Sequence, residues 1–236
     1  MKRIKYTLWT ILCLTTAVSC ALDNYDEPDA RFYGKIIDAT TGENFIMSSQ
    51  GLQIRMWEIS YKANPSPRNV NVKDDATFNN NKLFPGEYQA LVTNGAFWPV
   101  RDTVVVRLES GKATEQNFTV TPYLKVSIAD YHLDGTTLNI SGKISAPIAE
   151  GLPRVLDIRP FVAITKYVGS ANITAYSDPF RIDINKNIGE IPPEQVFSMS
   201  ITGLLPGRTF YVRLGARVDD SFKANNFSEI IEIQVP

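Results

Sequence analysis

Across most of this chain, apolar residues return at every second position in runs too short for a helix, and polar turns separate the runs. The first run covers residues 31–37 and closes in the small polar turn Asp38-Ala39-Thr40-Thr41-Gly42. Leu52, Ile54 and Met56 alternate with Gln53 and Arg55, which predicts a strand with one buried face. Trp57, Ile59 and Tyr61 fall on the opposite parity, so a β-bulge is expected at Trp57. Asn64-Pro65-Ser66-Pro67 breaks the chain at an edge or loop. Further runs follow over 76–78, 83–91, 103–108 and 118–120.

From Thr121 the pattern starts again. Leu124, Val126 and Ile128 alternate with Lys125, Ser127 and Ala129, and Asp134-Gly135 is a hairpin signal before Leu138 and Ile140. Residues 159–164 are more continuously apolar, as at the centre of a sheet. Runs near 180–184, 197–201, 210–218 and 231–235 complete the set. No window holds a helical period over the roughly ten residues a helix needs. The prediction is all-β: two β-sandwich domains in tandem, over 30–121 and 122–236.

The N-terminus follows another rule. Lys2, Arg3 and Lys5 precede an apolar run over 6–16, too short for a bilayer core that needs about 20 residues. Ala17-Val18-Ser19 then lead into Cys20, the order of a secretory signal, so 1–19 is read as a signal peptide. Residues 20–29 hold Asp23, Asp26, Glu27, Asp29 and Pro28, and so little apolar surface that they read as a solvated tether. Losing Lys2, Arg3 and Lys5 with the signal, and no acidic residue, takes the formal net charge from −1 to −4. A mildly acidic chain has no field suited to nucleic acid. Of the two cysteines, Cys13 leaves with the signal and only Cys20 remains. Disulfides, thiolate catalysis and cysteine-metal sites are thereby excluded from the folded part.

Several resemblances rest on these residues. Ala17-Val18-Ser19-Cys20 resembles the lipobox of bacterial lipoproteins, which implies diacylglycerol on Cys20 and a stable membrane anchor. The acidic residues after Cys20 are similar to the signal that sends lipoproteins to the cell surface in Bacteroidetes. Gly34 to Gly42, Phe78 and Leu83-Phe84-Pro85-Gly86-Glu87-Tyr88 resemble a carboxypeptidase-regulatory-like (transthyretin-like) domain, in which the tyrosine packs inward. Leu204-Leu205-Pro206-Gly207-Arg208-Thr209-Phe210 resembles the corner before strand F of fibronectin type III domains, with Phe210 where that family has tyrosine. The hydroxyl that pins the family's corner is therefore expected to be missing, and Tyr211 should face the opposite side. The whole chain, with its Asn117-Phe118-Thr119-Val120-Thr121-Pro122-Tyr123 junction, resembles the DUF3823 lipoproteins of Bacteroidetes. That likeness implies an outer-membrane, outward-facing protein whose genes lie beside SusC/SusD-type nutrient importers.

Candidate chemistry is sparse. His132 is the one histidine and reads as a loop residue before the Asp134-Gly135 turn; neither Gly-x-Ser-x-Gly nor a phosphate loop occurs. Asp74-Asp75 and Asp219-Asp220 read as turn residues rather than as a catalytic pair. No metal site, cofactor or catalytic residue is predicted. The better candidates are aromatic. Phe97 and Trp98, in the loop Asn94-Gly95-Ala96-Phe97-Trp98-Pro99, could offer a part-exposed platform to a sugar or hydrophobic partner, or could cover the open end of the sandwich. Trp57 and Tyr61 form a second candidate site, and Tyr167, Tyr176 and Phe222 lie near loops of the second domain. The leading expectation is a non-enzymatic, lipid-anchored surface protein that serves a SusC/SusD-like importer, binding a glycan or peptide or docking on the importer. A purely structural spacer is the alternative, and a hydrolase the third.

Overall fold

The computed structural model describes residues 27–48, 52–169 and 176–236. Residues 1–26, with the segment read as a signal, Cys20 and most of the segment read as a tether, lie outside the described residues, as do the expectations that fall on them. Among the described residues no helix is long and apolar enough to cross a membrane.

The N-terminal half is strands β1 (Ala30–Asp38), β2 (Gln53–Glu58), β3 (Arg68–Asn71), β4 (Thr77–Leu83), β5 (Gly86–Thr93), β6 (Val104–Leu108), β7 (Ala113–Glu115) and β8 (Phe118–Val120). One sheet runs β4–β1–β7, with β8 also on β1; the other runs β3–β2–β5–β6. Alternate residues of both sheets meet in one core around Phe32, Ile36, Ile54, Met56, Phe78 and Tyr88. Tyr88 is buried, as the transthyretin-like resemblance implies, and its hydroxyl donates to the Phe84 carbonyl at 2.9 Å.

β1 changes partner midway, pairing in parallel first with β7 at residues 31–33 and then with β8 at 36–38. The chain between them crosses at Gln116, whose N–H donates to the Tyr33 carbonyl, so that the Gln116 carbonyl lies where a Cβ on residue 34 would stand. Gly34 is therefore required for space. Gly34→Ala should cost about 1–3 kcal/mol by overpacking, or break the β8 pairing, read as a lowered urea midpoint.

The C-terminal half is β9 (Lys125–Asp134), β10 (Thr137–Ser145), β11 (Val155–Ala163), β12 (Ile182–Lys186), β13 (Phe197–Ile201), β14 (Thr209–Val218), β15 (Asn225–Phe227) and β16 (Ile231–Gln234). Its sheets run β13–β10–β9 and β12–β11–β14–β15, with β16 also on β14, around a second core that includes Leu138, Ile158, Ile201, Val212 and Leu214. The Asp134-Gly135 signal does form the β9–β10 hairpin.

Three expectations need correction. The β2–β5 ladder runs unbroken from Gln53 opposite Thr93 to Glu58 opposite Tyr88, so there is no bulge at Trp57. The strand ends at Glu58, and the later parity of Ile59 and Tyr61 belongs to a turn rather than to a pleat. His132 sits in β9 opposite Asn139, not in a loop. The strand-F corner has a polar pin after all: Tyr176 packs edge-on against buried Phe210 and donates its hydroxyl to the Gly203 carbonyl at 3.1 Å. A tyrosine from another part of the chain thus supplies the bond that Phe210 cannot. Tyr211, as expected, faces away from Phe210 and packs with Phe161 and Phe227 on the outer side of the sheet.

That outer side also buries charge. Asp157 accepts from Arg159 Nε and Nη2 at 3.1 and 3.0 Å and from Arg217 Nε at 2.8 Å, while Arg159 Nη1 reaches Asp178 at 2.7 Å.

Candidate functional site

The loop after β5 does not project as a platform. Asn94 takes φ 67°, a left-handed turn that asparagine tolerates, and the chain folds back toward Pro122. Trp98 N–H donates to the Thr121 carbonyl at 2.9 Å and Tyr123 N–H to the Ala96 carbonyl at 3.1 Å. This short antiparallel contact clamps the loop across the segment that joins the two halves. Phe97 is buried and meets Phe45 edge-on; Trp98 is half-buried and tilts against Tyr123 at 5.4 Å between ring centroids. The loop covers the end of the first sandwich and abuts the second.

The second sandwich answers with two side chains. Asn226 donates from Nδ2 to the Ala96 carbonyl at 2.7 Å and accepts the Leu124 N–H on Oδ1 at 3.0 Å, so both ends of its amide are used. Arg213, 3% exposed, donates from Nη1 to the Met47 carbonyl at 3.0 Å and stacks 3.7 Å from the centroid of Phe227. Burial brings its pKa down to about 10, which leaves it charged at neutral pH. A planar, weakly hydrated guanidinium tolerates such a place better than an ammonium would.

Two clefts flank this junction, and Phe45 and Phe227 line both. The larger, about 630 Å³, follows β9 past Ile46, Pro122 and Ile231. The smaller, about 480 Å³, lies between the Asn94-Gly95 turn and residues 222–225. The smaller one is the candidate ligand site. Phe222 is 53% exposed beside it, and Asn94, Lys223 and Asn225 contribute polar groups to its wall. Asn225 Oδ1 is buried and has no hydrogen-bond partner. An acceptor in that condition costs about 1–3 kcal/mol unless a ligand or water meets it. Lys223, like Asn94, is held at positive φ (49°), a strain of about 1–3 kcal/mol for a lysine. Asp220 maintains that conformation by accepting the Phe222 N–H at 3.2 Å and the Lys223 N–H, and burial raises its pKa.

An exposed ring beside amide groups suits a hydroxylated ring: stacking on one face, hydrogen bonds at the edge, while the Lys223 ammonium pairs with Asp219 at 3.5 Å. The same groups offer no nucleophile–base pair. Among the described residues, no three His, Cys, Asp or Glu side chains are grouped to hold a metal ion.

The sequence candidates divide accordingly. Phe97 and Trp98 build the junction, and the Asn94-Gly95 part of their loop lines the smaller cleft. Trp57 is half-buried on β2, and Tyr61, 77% exposed, follows in the turn; neither lines either junction cleft. Phe222 does line the smaller one. Asn225 and Lys223 carry no sequence signal, since a polar residue in a polar loop is unremarkable until the opposite wall is known.

The protein is thus a tandem β-sandwich chain with clefts at the junction of its two cores. Residues 30–121 match the N-terminal domain described as "Protein of unknown function (DUF3823)". A DUF3823 family protein from Bacteroides uniformis superposes with TM-score 0.73 at 22% identity, over 89% of this chain and all of that one. One from Parabacteroides merdae gives 0.68 at 22%, again over 89% and 100%. A candidate carbohydrate-binding protein from Bacteroides uniformis gives 0.66 at 21%, over 88% and 99%. At these identities the likeness is one of fold. No curated protein matches the chain.

Proposed function

We propose that this chain is a non-enzymatic lipoprotein, acylated at Cys20 and held on the outer face of the outer membrane, where it serves a SusC/SusD-like nutrient importer. Its ligand is a glycan, and the glycan lies in the smaller junction cleft with a sugar ring on Phe222. The observation that carries this reading is the exposed Phe222 ring in the wall of a cleft that Asn225 and two residues in left-handed conformation, Asn94 and Lys223, also line. Support comes also from the fold shared with a candidate carbohydrate-binding protein over 88% of the chain and with a DUF3823 family protein over 89%. The lipobox and acidic tether support the anchoring, and the two resemblances to transthyretin-like and fibronectin type III-like domains suit a binding or spacing role.

Calorimetric titration of the full chain in detergent against neutral oligosaccharides tests the ligand. At least one should bind, and Phe222→Ala should weaken it about tenfold or more, the worth of one stacking contact of 1–3 kcal/mol. Trp57→Ala should leave binding unchanged. Silence across the panel contradicts the glycan reading. It would favour the spacer role, which the hydrogen-bonded junction also suits. Sedimentation of the cellular product with membranes, lost in Cys20→Ala, tests the anchor.

A further inference from the structure

We propose that the larger junction cleft takes up an extended segment of another polypeptide, which adds as a strand to the free edge of β9. The segment carries apolar side chains at alternate positions and at least one lysine or arginine. This goes beyond the glycan reading and does not depend on it.

β9 is hydrogen-bonded to β10 on one side and ends its sheet on the other. Every residue from Leu124 to Tyr131 lines the cleft. Successive side chains of a strand point to opposite faces, so a cleft over one face would be lined by every second residue. A cleft lined by all of them runs along the edge, where unpaired main-chain groups point. Side chains close the two ends of this edge. Asn226 Oδ1 accepts the Leu124 N–H at 3.0 Å, and Asp130 Oδ1 accepts the Tyr131 N–H at 2.9 Å. Between these closures the strand has no partner strand among the described residues.

Exposed edges are commonly blunted by proline, clustered charge, β-bulges or covering loops. This one has no proline, a single lysine at its start, the small side chains of Ser127 and Ala129, and one β-bulge at Ala129, where the ladder with β10 shifts register. A second backbone can approach within the roughly 4.8 Å that strands require. The facing wall is apolar, from Phe45, Ile46 and Ile231, and offers places for alternate side chains. The cleft also gathers the carboxyl-bearing residues Asp38, Asp130 and Glu229 against Lys125 alone, which favours a basic guest. With the bulge taking up one residue, about six regular steps of edge span about 20 Å, room for about six residues of guest.

Random twelve-residue peptides displayed on phage, panned against the full chain in detergent, supply the probe. Enriched peptides should alternate apolar positions and contain a basic residue. A synthetic copy should slow hydrogen–deuterium exchange in 124–131 about tenfold or more and leave β13 unaffected. N-methylation of alternate backbone nitrogens should abolish binding, and Glu229→Lys should weaken it about tenfold. The proposal is overturned by an absence of enrichment, by protection elsewhere, or by equal binding of the N-methylated copy. It is also overturned if β9 proves to pair with β9 of a second copy in a stable dimer. A bound oligosaccharide should leave exchange in 124–131 unchanged, so the two clefts are read separately.

Discussion

Replacing Asp157 by alanine should destabilise the chain by about 3–5 kcal/mol, the largest effect expected of any single surface-to-core carboxylate here. Asp157 is 2% exposed and sits between two guanidinium groups, accepting both donors of Arg159 and one from Arg217. Its removal leaves Arg159, itself 6% exposed, with Asp178 as its remaining carboxylate partner and strands one donor of Arg217. Urea unfolding at neutral pH measures the loss. The exposed Arg181–Asp183 pair, at a similar 2.7 Å, is the control: Asp183→Ala should cost about 0.5 kcal/mol or less, because water screens both groups. Equal losses in the two variants would show that burial, rather than contact, has been misjudged.

Arg213→Ala should cost about 2–4 kcal/mol and should also uncouple the two halves. The change removes the donor to the Met47 carbonyl and the stack on Phe227, both in a place water does not reach. The wild type is expected to unfold in one calorimetric transition, since Arg213, Asn226 and the Trp98–Thr121 and Tyr123–Ala96 bonds join the cores. In Arg213→Ala the transition should broaden or split in two. Arg213→Lys keeps charge but loses the flat fork, and should recover less than half of the loss. An unchanged single transition in Arg213→Ala would show that the junction is held by other contacts.

A smaller effect depends on pH. Burial pushes the Tyr88 hydroxyl up to about 12 from its ordinary value near 10. The unfolded chain therefore loses this proton first, and the stability that Tyr88 contributes is present below pH 10 and lost as pH rises toward 12. Tyr88→Phe should lower stability at neutral pH by about 1 kcal/mol, through the lost bond to Phe84, yet flatten its decline between pH 10 and 12.

Much of the architecture was legible because strands leave a period-two trace. The runs at 52–56, 124–128 and 197–201 became β2, β9 and β13, and Asp134-Gly135 became the turn of the β9–β10 hairpin. The bulge at Trp57 was misread because parity persists past the end of a strand, where it no longer reports a face. The Tyr176 pin and the junction escaped for a different reason. Arg213 meets Met47 from 166 residues away, and Asn226 meets Ala96 from 130. No local pattern encodes such pairs; only the packed sandwiches bring them together. The candidate site was half visible: the 94–99 loop and Phe222 were picked out for their aromatic residues, but Phe97 and Trp98 build the junction, and it is Asn94 and Gly95 that line the cleft with Phe222.

A crystal structure of the full chain with the tightest-binding oligosaccharide is the most direct measurement. A sugar ring is expected stacked about 4 Å from Phe222, with its hydroxyls meeting the polar side chains of the smaller cleft. A sugar seated at Trp57 and Tyr61, or along β9, would contradict it.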